Sequence, residues 1–357
     1  SCTMQINTIA ATLQKWYSES KRDLPFRATT DPYKIWISEV MLQQTQIKTV
    51  IPYYNRWIDT FPNIQIVANS KLDSLLKIWE GLGYYRRCVN FHNAAKIVLK
   101  NYNGKIPSDY NTFIKLPGVG EYTAGAVLSI SFGIKIPAID VNVFRVISRF
   151  QCLKKSVNNH KTIYNLISSM LGYVSSPGDF NQALMDLGSL ICIQKNPKCK
   201  ICPISTHCKA YLKNQVNQFP KISKTVPKPH YNVVVGMIWY NNKFYIQKRS
   251  LDSMLAGLWE FPGGKVDKGE PFEIALKRGI KNETGFIPII GNKIDSIEHT
   301  YSHFSISLHC FQCFIKNKKL IYNRKFEWIT PKDIKKFSFP KANHKLFNLI
   351  SQKNWYV

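Results

Sequence analysis

Two carboxylates in this chain of 357 residues stand in surroundings that suit acid–base chemistry. Glu39 is the only charge in IWISEVML, residues 35–42, an otherwise apolar stretch of helical character. Burial disfavours the ionised form, so this carboxyl is expected to keep a proton nearer neutrality than usual. A core glutamate satisfied by one hydrogen bond is the plainer account, although packing alone seldom selects a charge in such a stretch. Asp140 precedes VNVFRVISRF and reads as a helix N-cap, a role worth about 0.5–2 kcal/mol by itself. The same position favours the anion, because helix N-termini attract negative charge. A protonated carboxyl beside a persistent carboxylate is the equipment for breaking a glycosidic bond through a cationic sugar. Taken singly, each residue is also explained structurally, and sequence does not say whether the two face one another.

A second constellation is CIQKNPKCKICPISTHC, with Cys192, Cys199, Cys202 and Cys208 spaced by six, two and five residues. Zinc sites usually pair two knuckles of two-residue spacing across a longer gap, whereas here one knuckle has single cysteines close on either side. Four thiolates so crowded also suit a 4Fe-4S cluster, and spacing alone leaves both metals open. Lys195, Lys198 and Lys200 on the enclosed loops would turn a basic surface toward phosphate. Cys310 and Cys313 form another two-residue knuckle, but on a strand these positions face opposite sides, which points to core packing.

Two glycine-bearing motifs follow. FIKLPGVGEYTAGAVLSI reads as helix, tight turn, helix. Gly118, Val119 and Gly120 expose backbone N–H groups at the second helix, a natural phosphate site. In GGKVDKGEPFEIALKRGIKNETGF, Gly264, Glu270, Arg278, Glu283 and Gly285 keep the spacing of a Nudix box. Gly279 and Asn282 stand where that diphosphate-cleaving motif carries carboxylates. A hard divalent cation needs several oxygen ligands, and Glu270 with Glu283 is a poor remainder.

The elements that must position these groups fall into two patterns. Residues 1–213 read as helical, with Asp31-Pro32 a good N-cap followed by proline at the first helical position. Residues 214–230, NQVNQFPKISKTVPKPH, are polar, basic and proline-spaced, as a linker would be. From Tyr231 to the end at 357 the pattern is mixed α/β. YNVVVGMIWY and KFYIQKR flank an Asn241-Asn242 turn, helix is expected at 271–284, and strand at 305–315. A hydrophobic content of 45% excludes a disordered chain. No apolar run approaches the ~20 residues that span a bilayer. Residues 1–17 show no secretory pattern, so a cytosolic setting is expected. The net charge of +27, shared almost equally by the two parts, points to a polyanion.

Together DPYKIWISEVMLQQTQ (31–46), GLGYYRR (81–87), LPGVGEYTAGAV (116–127), AIDVNVFRV (138–146), the four cysteines, the broken Nudix box and HTYSHF (299–304) resemble the adenine DNA glycosylases of the MutY type, in the helix-hairpin-helix superfamily. The resemblance spans nearly the whole chain. It implies a multidomain protein: an all-α, two-lobed helix-hairpin-helix glycosylase core over 1–213, with hairpin 116–127 and iron-sulfur loop 192–208. A linker over 214–230 would join it to an α/β Nudix-like domain over 231–357. It further implies one 4Fe-4S cluster on Cys192, Cys199, Cys202 and Cys208, no catalytic divalent metal, and a monomer on double-stranded DNA containing A:8-oxoguanine or A:G, away from membranes.

By that likeness Glu39 protonates the adenine and Asp140 steadies the oxocarbenium sugar, with Tyr122 and Asn142 beside it. Arg27 and Gln182 line the adenine pocket. Gln44, Thr45 and Tyr84 enter the duplex on the lesion side, with Gly118, Val119 and Gly120 on the backbone. Tyr301, Ser302 and His303 match the loop that reads 8-oxoguanine. Tyr301 replaces the family's usual Phe and Phe26 a frequent Trp. The related endonuclease III-like branch carries a Schiff-base Lys where Tyr122 stands, so little or no lyase activity is expected. Two other readings compete: an active Nudix hydrolase, betrayed by magnesium-dependent pyrophosphate release, and a non-catalytic lesion binder, which would leave no abasic product.

Overall fold

The computed structural model describes residues 2–221, 227–250, 255–316 and 324–355. Residues 222–226, inside the expected linker, lie outside the described residues. By internal packing the chain divides into two units, Ser1–Asn69 with Asn90–Thr225, and Ser70–Val89 with Val226–Val357. Residues 70–89 therefore group with the C-terminal unit, although they sit within the helical stretch of the sequence.

The first unit is helical. Its N-terminal helix Cys2–Ser20 packs with Val141–Gln151, Asn159–Leu171 and Pro177–Leu190 around Leu13, Val146, Ile163, Ile167, Phe180 and Leu187. A second aromatic core forms where Trp36 meets Phe91 and Phe113, with ring centroids 4.9 and 5.0 Å apart in edge-to-face geometry. Trp57 is fully buried against Phe61 and Phe91. Helix Glu121–Phe132 lies between the two halves, packed against Pro32–Leu42 and against Pro177–Leu190. That placement brings three helices of distant sequence to one site.

The second unit carries a seven-stranded mixed sheet. Its strands are β1 (His230–Tyr240), β2 (Lys243–Lys248), β3 (Trp259–Glu260), β4 (Gly263–Lys265), β5 (Ile289–Thr300), β6 (Ser305–Phe314) and β7 (Phe326–Ile329). The order is β3-β2-β1-β6-β5, with β4 paired to β1 and β7 to β2; among the described residues only β1 and β6 run parallel. Alternation along β1 sends Val235, Met237 and Trp239 to one face, under helix Lys341–Gln352, and Val234 and Ile238 to the other, under helix Phe272–Thr284. Cys310 and Cys313 of β6 are buried on opposite faces.

No helix among the described residues is long and apolar enough to cross a membrane.

Candidate active site

Helix Pro32–Leu42 begins with the Asp31 carboxylate accepting from Tyr33 N at 2.9 Å and Pro32 in its first turn. Its apolar residues are buried on nearly every side, and Glu39 is buried with them at 7% exposure. Tyr122, in the first turn of Glu121–Phe132, donates its hydroxyl to Glu39 Oε2 at 2.5 Å and lies 3.0 Å from Met185 Sδ. Burial raises the pKa of Glu39; the Tyr122 bond and the Arg27 charge oppose this, and the Asp140 charge adds to it. Tyr122 is itself raised by burial and then by Glu39 and Asp140. The three groups therefore act on one another although they come from three helices.

Asp140 caps Val141–Gln151. Its Oδ1 accepts from Val143 N at 2.7 Å and its Oδ2 from Asn142 Nδ2 at 3.2 Å. The chain of contacts continues: Arg145 Nη2 donates to Asn142 Oδ1 at 2.9 Å and to Gly188 O at 2.6 Å, and its Nε donates to Cys192 O at 2.9 Å. The N-cap position favours the anion, while burial raises the pKa of Asp140, against the pull of the Val143 and Asn142 donors and of Arg145. Its charge is thus held by specific donors in a poorly solvated place.

Arg27 and Gln182 are near this group, but their first partners are protein groups. Arg27 forks onto Asp186, Nη2 to Oδ1 at 2.7 Å and Nη1 to Oδ2 at 3.1 Å, and also donates to Tyr17 Oη at 2.7 Å. Tyr17 Oη donates to Gln182 Oε1 at 3.1 Å. Asp186 is 1% exposed and also takes Arg22 at 2.6 Å. Sequence reading missed Asp186, although it lies one turn from Gln182 in FNQALMDLGSL and is the only charge in that stretch.

The residues assigned to duplex contact occupy turns. Gln44 has φ 56°, Tyr84 φ 49° and Gly118 φ 76°; for the two non-glycine residues this left-handed conformation is uncommon and typical of functional loops. A Cβ on Gly118 would stand 2.8 Å from Asn90 Cβ, so the position needs glycine twice over. Val119 is buried, and Gly120, the N-cap of Glu121–Phe132, has ordinary φ and open space where a side chain would point. Thr45 donates to Gln43 O at 3.3 Å, and Gln43 ties this turn to Thr123 at 3.0 Å.

In the second unit Tyr84 is 42% exposed, its ring lies 5.4 Å from the Arg87 guanidinium, and its hydroxyl contacts Ser302 Oγ. Tyr301 packs its ring against Phe304 and His299, and His303 is exposed. The chain thus yields a buried Glu39 and Gln182 with half-buried Tyr122, Asp140, Asn142 and Arg27 in the first unit, and a Tyr84–Ser302 pair in the second.

Cys192, Cys199, Cys202 and Cys208 are all free thiols, and three of them pack against the first core. Burial raises Cys199, Cys202 and Cys208, Cys202 to about 12, and the thiols raise one another, so the sulfurs share one neighbourhood. Arg149, 2% exposed, donates to Cys192 Sγ at 3.4 Å, to Ile193 O at 2.7 Å, to Gln194 O at 2.9 Å and to Phe219 O at 3.1 Å. Four half-buried thiols beside a permanent cation are a donor set for an iron-sulfur cluster, whose net negative charge with its thiolates the arginine would offset. Among the described residues no group of three or more His, Cys, Asp or Glu side chains is arranged to hold a single metal ion.

In the Nudix-like box the helix Phe272–Thr284 approaches β4 so closely that a Cβ on Gly279 would lie 2.5 Å from Gly263 O. Glycine there is a packing requirement. Glu270 is taken by Arg278, and Glu283 contacts Gln247.

Residues 37–170 match the family described as HhH-GPD superfamily base excision DNA repair protein, and residues 234–349 match the NUDIX domain. The chain is similar to the adenine DNA glycosylase of Buchnera aphidicola subsp. Baizongia pistaciae, 36% identical over 96% of this chain and 97% of that protein. It is also similar to the adenine DNA glycosylase of Homo sapiens, 27% identical over 97% of this chain and 74% of that protein. Among solved structures, a thermostable thymine-DNA glycosylase superposes with TM-score 0.55 at 30% identity, covering 59% of this chain and 98% of the other. Endonuclease III trapped as a covalent intermediate with DNA superposes with TM-score 0.50 at 22% identity, covering 59% and 98%.

Proposed function

Because this chain belongs to the adenine DNA glycosylases, we propose that it excises adenine mispaired with 8-oxoguanine or guanine, as a monomer on double-stranded DNA in the cytoplasm. The observation that carries the reading is the buried Glu39–Tyr122 pair within the field of Asp140. An adenine turned out of the duplex receives the Glu39 proton on its ring. The glycosidic electrons then leave with a neutral base, and the sugar is left as an oxocarbenium ion. Asp140, braced by Val143 N and Asn142, supplies the facing negative charge. Water adds to the cation and Glu39 recovers the proton. Tyr122 positions the acid and carries no amine, so strand scission through a Schiff base is absent from this scheme.

Arg27 and Gln182 form the pocket wall, with Asp186 holding the guanidinium in place. Gln44, Thr45 and Tyr84 fill the duplex, and Gly118, Val119 and Gly120 take its phosphates. Ser302, with Tyr301 and His303, reads the opposite base, because 8-oxoguanine presents a donor where guanine has an acceptor. Cys192, Cys199, Cys202 and Cys208 hold one 4Fe-4S cluster, which when bound fixes the basic loop 192–208. Metal analysis of purified protein should return about four iron and no zinc per chain; stoichiometric zinc would remove this assignment.

The deciding experiment is single-turnover cleavage of an A:8-oxoguanine duplex by Glu39→Gln. Loss of base release by at least about a hundredfold with retained binding is expected, since a positioned acid contributes on the order of 10²–10⁴-fold. Undiminished release would end the role given to Glu39.

A further inference from the structure

The turn from Tyr301 to Phe304 is gripped by contacts that none of the roles above uses. It joins β5 to β6 and closes on itself through Tyr301 N, which donates to Phe304 O at 2.7 Å. The last residues of the expected linker hold both of its ends. Lys228 Nζ donates to Tyr301 O at 3.3 Å, and Ser305 N donates to Pro229 O at 3.0 Å. His230 opens β1, which runs parallel to β6 with His230 opposite Ser305. Ser305 and Ser307 point to one face of the sheet, as alternate residues of a strand do. The His230 imidazole spans them, with Nδ1 2.7 Å from Ser305 Oγ and Nε2 2.8 Å from Ser307 Oγ. Ser307 is 7% exposed and passes the contact on, donating to Glu298 Oε1 of β5 at 2.5 Å.

The protons available set the direction of these bonds. Ser307 spends its only hydroxyl proton on Glu298, so its oxygen accepts from the Nε2–H of His230. In the neutral ring Nδ1 is then the acceptor, and it takes the Ser305 hydroxyl. One side chain thereby fixes the first residue after the turn and ties β1, β6 and β5 together at its root. His230 and Glu298 are themselves exposed, so hydrogen bonds and not core packing hold them. Telling 8-oxoguanine from guanine turns on one donor in place of one acceptor. The reading group must therefore be held to within about 0.5 Å.

We propose that His230 is a positioning residue for the lesion-reading turn. Through Ser305 and Ser307 it fixes where Ser302 stands, and so sets the preference for 8-oxoguanine over guanine opposite adenine without touching either base. This rests on the reading of residues 301–303 as the lesion reader.

The test measures, by anisotropy, the affinity of the full chain for A:8-oxoguanine and A:G duplexes, in Glu39→Gln protein so that no base is released. The ratio of the two dissociation constants is compared between that parent and the same protein carrying His230→Ala, His230→Gln or Ser305→Ala, each checked by thermal melting. His230→Ala should lower the preference about tenfold, chiefly by weakening binding to A:8-oxoguanine. His230→Gln, whose carboxamide again offers one donor and one acceptor, should restore most of it. A role in folding alone would shift both affinities and the melting temperature and leave the ratio unchanged. Ser305→Ala removes a single hydroxyl, should lower the ratio severalfold, and carries the test if His230→Ala does not fold. A folded His230→Ala or Ser305→Ala protein with the parental ratio would overturn the proposal. A parent that binds the two duplexes equally, or neither, would instead overturn the reading of the turn, and the proposal with it.

Discussion

At the scale of single residues, this protein repeatedly places ionisable groups where water is scarce and then answers each with one or two partners. Glu39 with Tyr122, Asp140 with Asn142 and Val143, and Arg27 with Asp186 follow that rule in the first unit. In the second unit Glu283 is pushed up to about 7 by burial and by the Glu260 charge, against Arg324, Gln247 and Arg249. A carboxyl raised above its ordinary value keeps its proton in the folded state where the unfolded chain has lost it. Its stabilising contribution is therefore full below the usual carboxylate range and disappears as pH climbs through about 7. Replacing it tests this directly. The melting temperature of Glu283→Gln relative to the parent should be more favourable at pH 8 than at pH 5, by a few degrees. An equal difference at both pH values would falsify the assignment of a raised Glu283.

At the scale of elements, local signals were readable and long-range partnerships were not. The Asp31-Pro32 start, the Asp140 cap and the helix ending at Gly285 were legible because each is set by neighbours within a few residues. The hairpin between β1 and β2 was legible for the same reason, since Asn241 and Asn242 tolerate φ values of 50° and 60°. The family motifs mark Glu39 and Asp140 as the candidate catalytic carboxylates from sequence alone. Hidden from the sequence were the partners those residues choose. Arg27 and Asp186 are 159 positions apart, and Tyr84 and Ser302 are 218 apart. Arg149 reads as one more basic residue of an amphipathic helix until its helix is laid against the cysteine loop.

At the scale of the whole molecule, the +27 charge is the property that any DNA-binding role must use. Binding that neutralises about six phosphates loses roughly a thousandfold or more in affinity between 50 and 200 mM salt. Anisotropy titrations of Glu39→Gln on an A:8-oxoguanine duplex should show a steep fall of that order. A salt-independent affinity would contradict a phosphate-based interface. The contact of Gly279 with the Gly263 carbonyl carries a historical consequence. Had only carboxylates been lost, a few chance substitutions could revive pyrophosphatase chemistry. With the main chain filling the space beside Gly279, strand and helix would have to separate before an acid could return at that position.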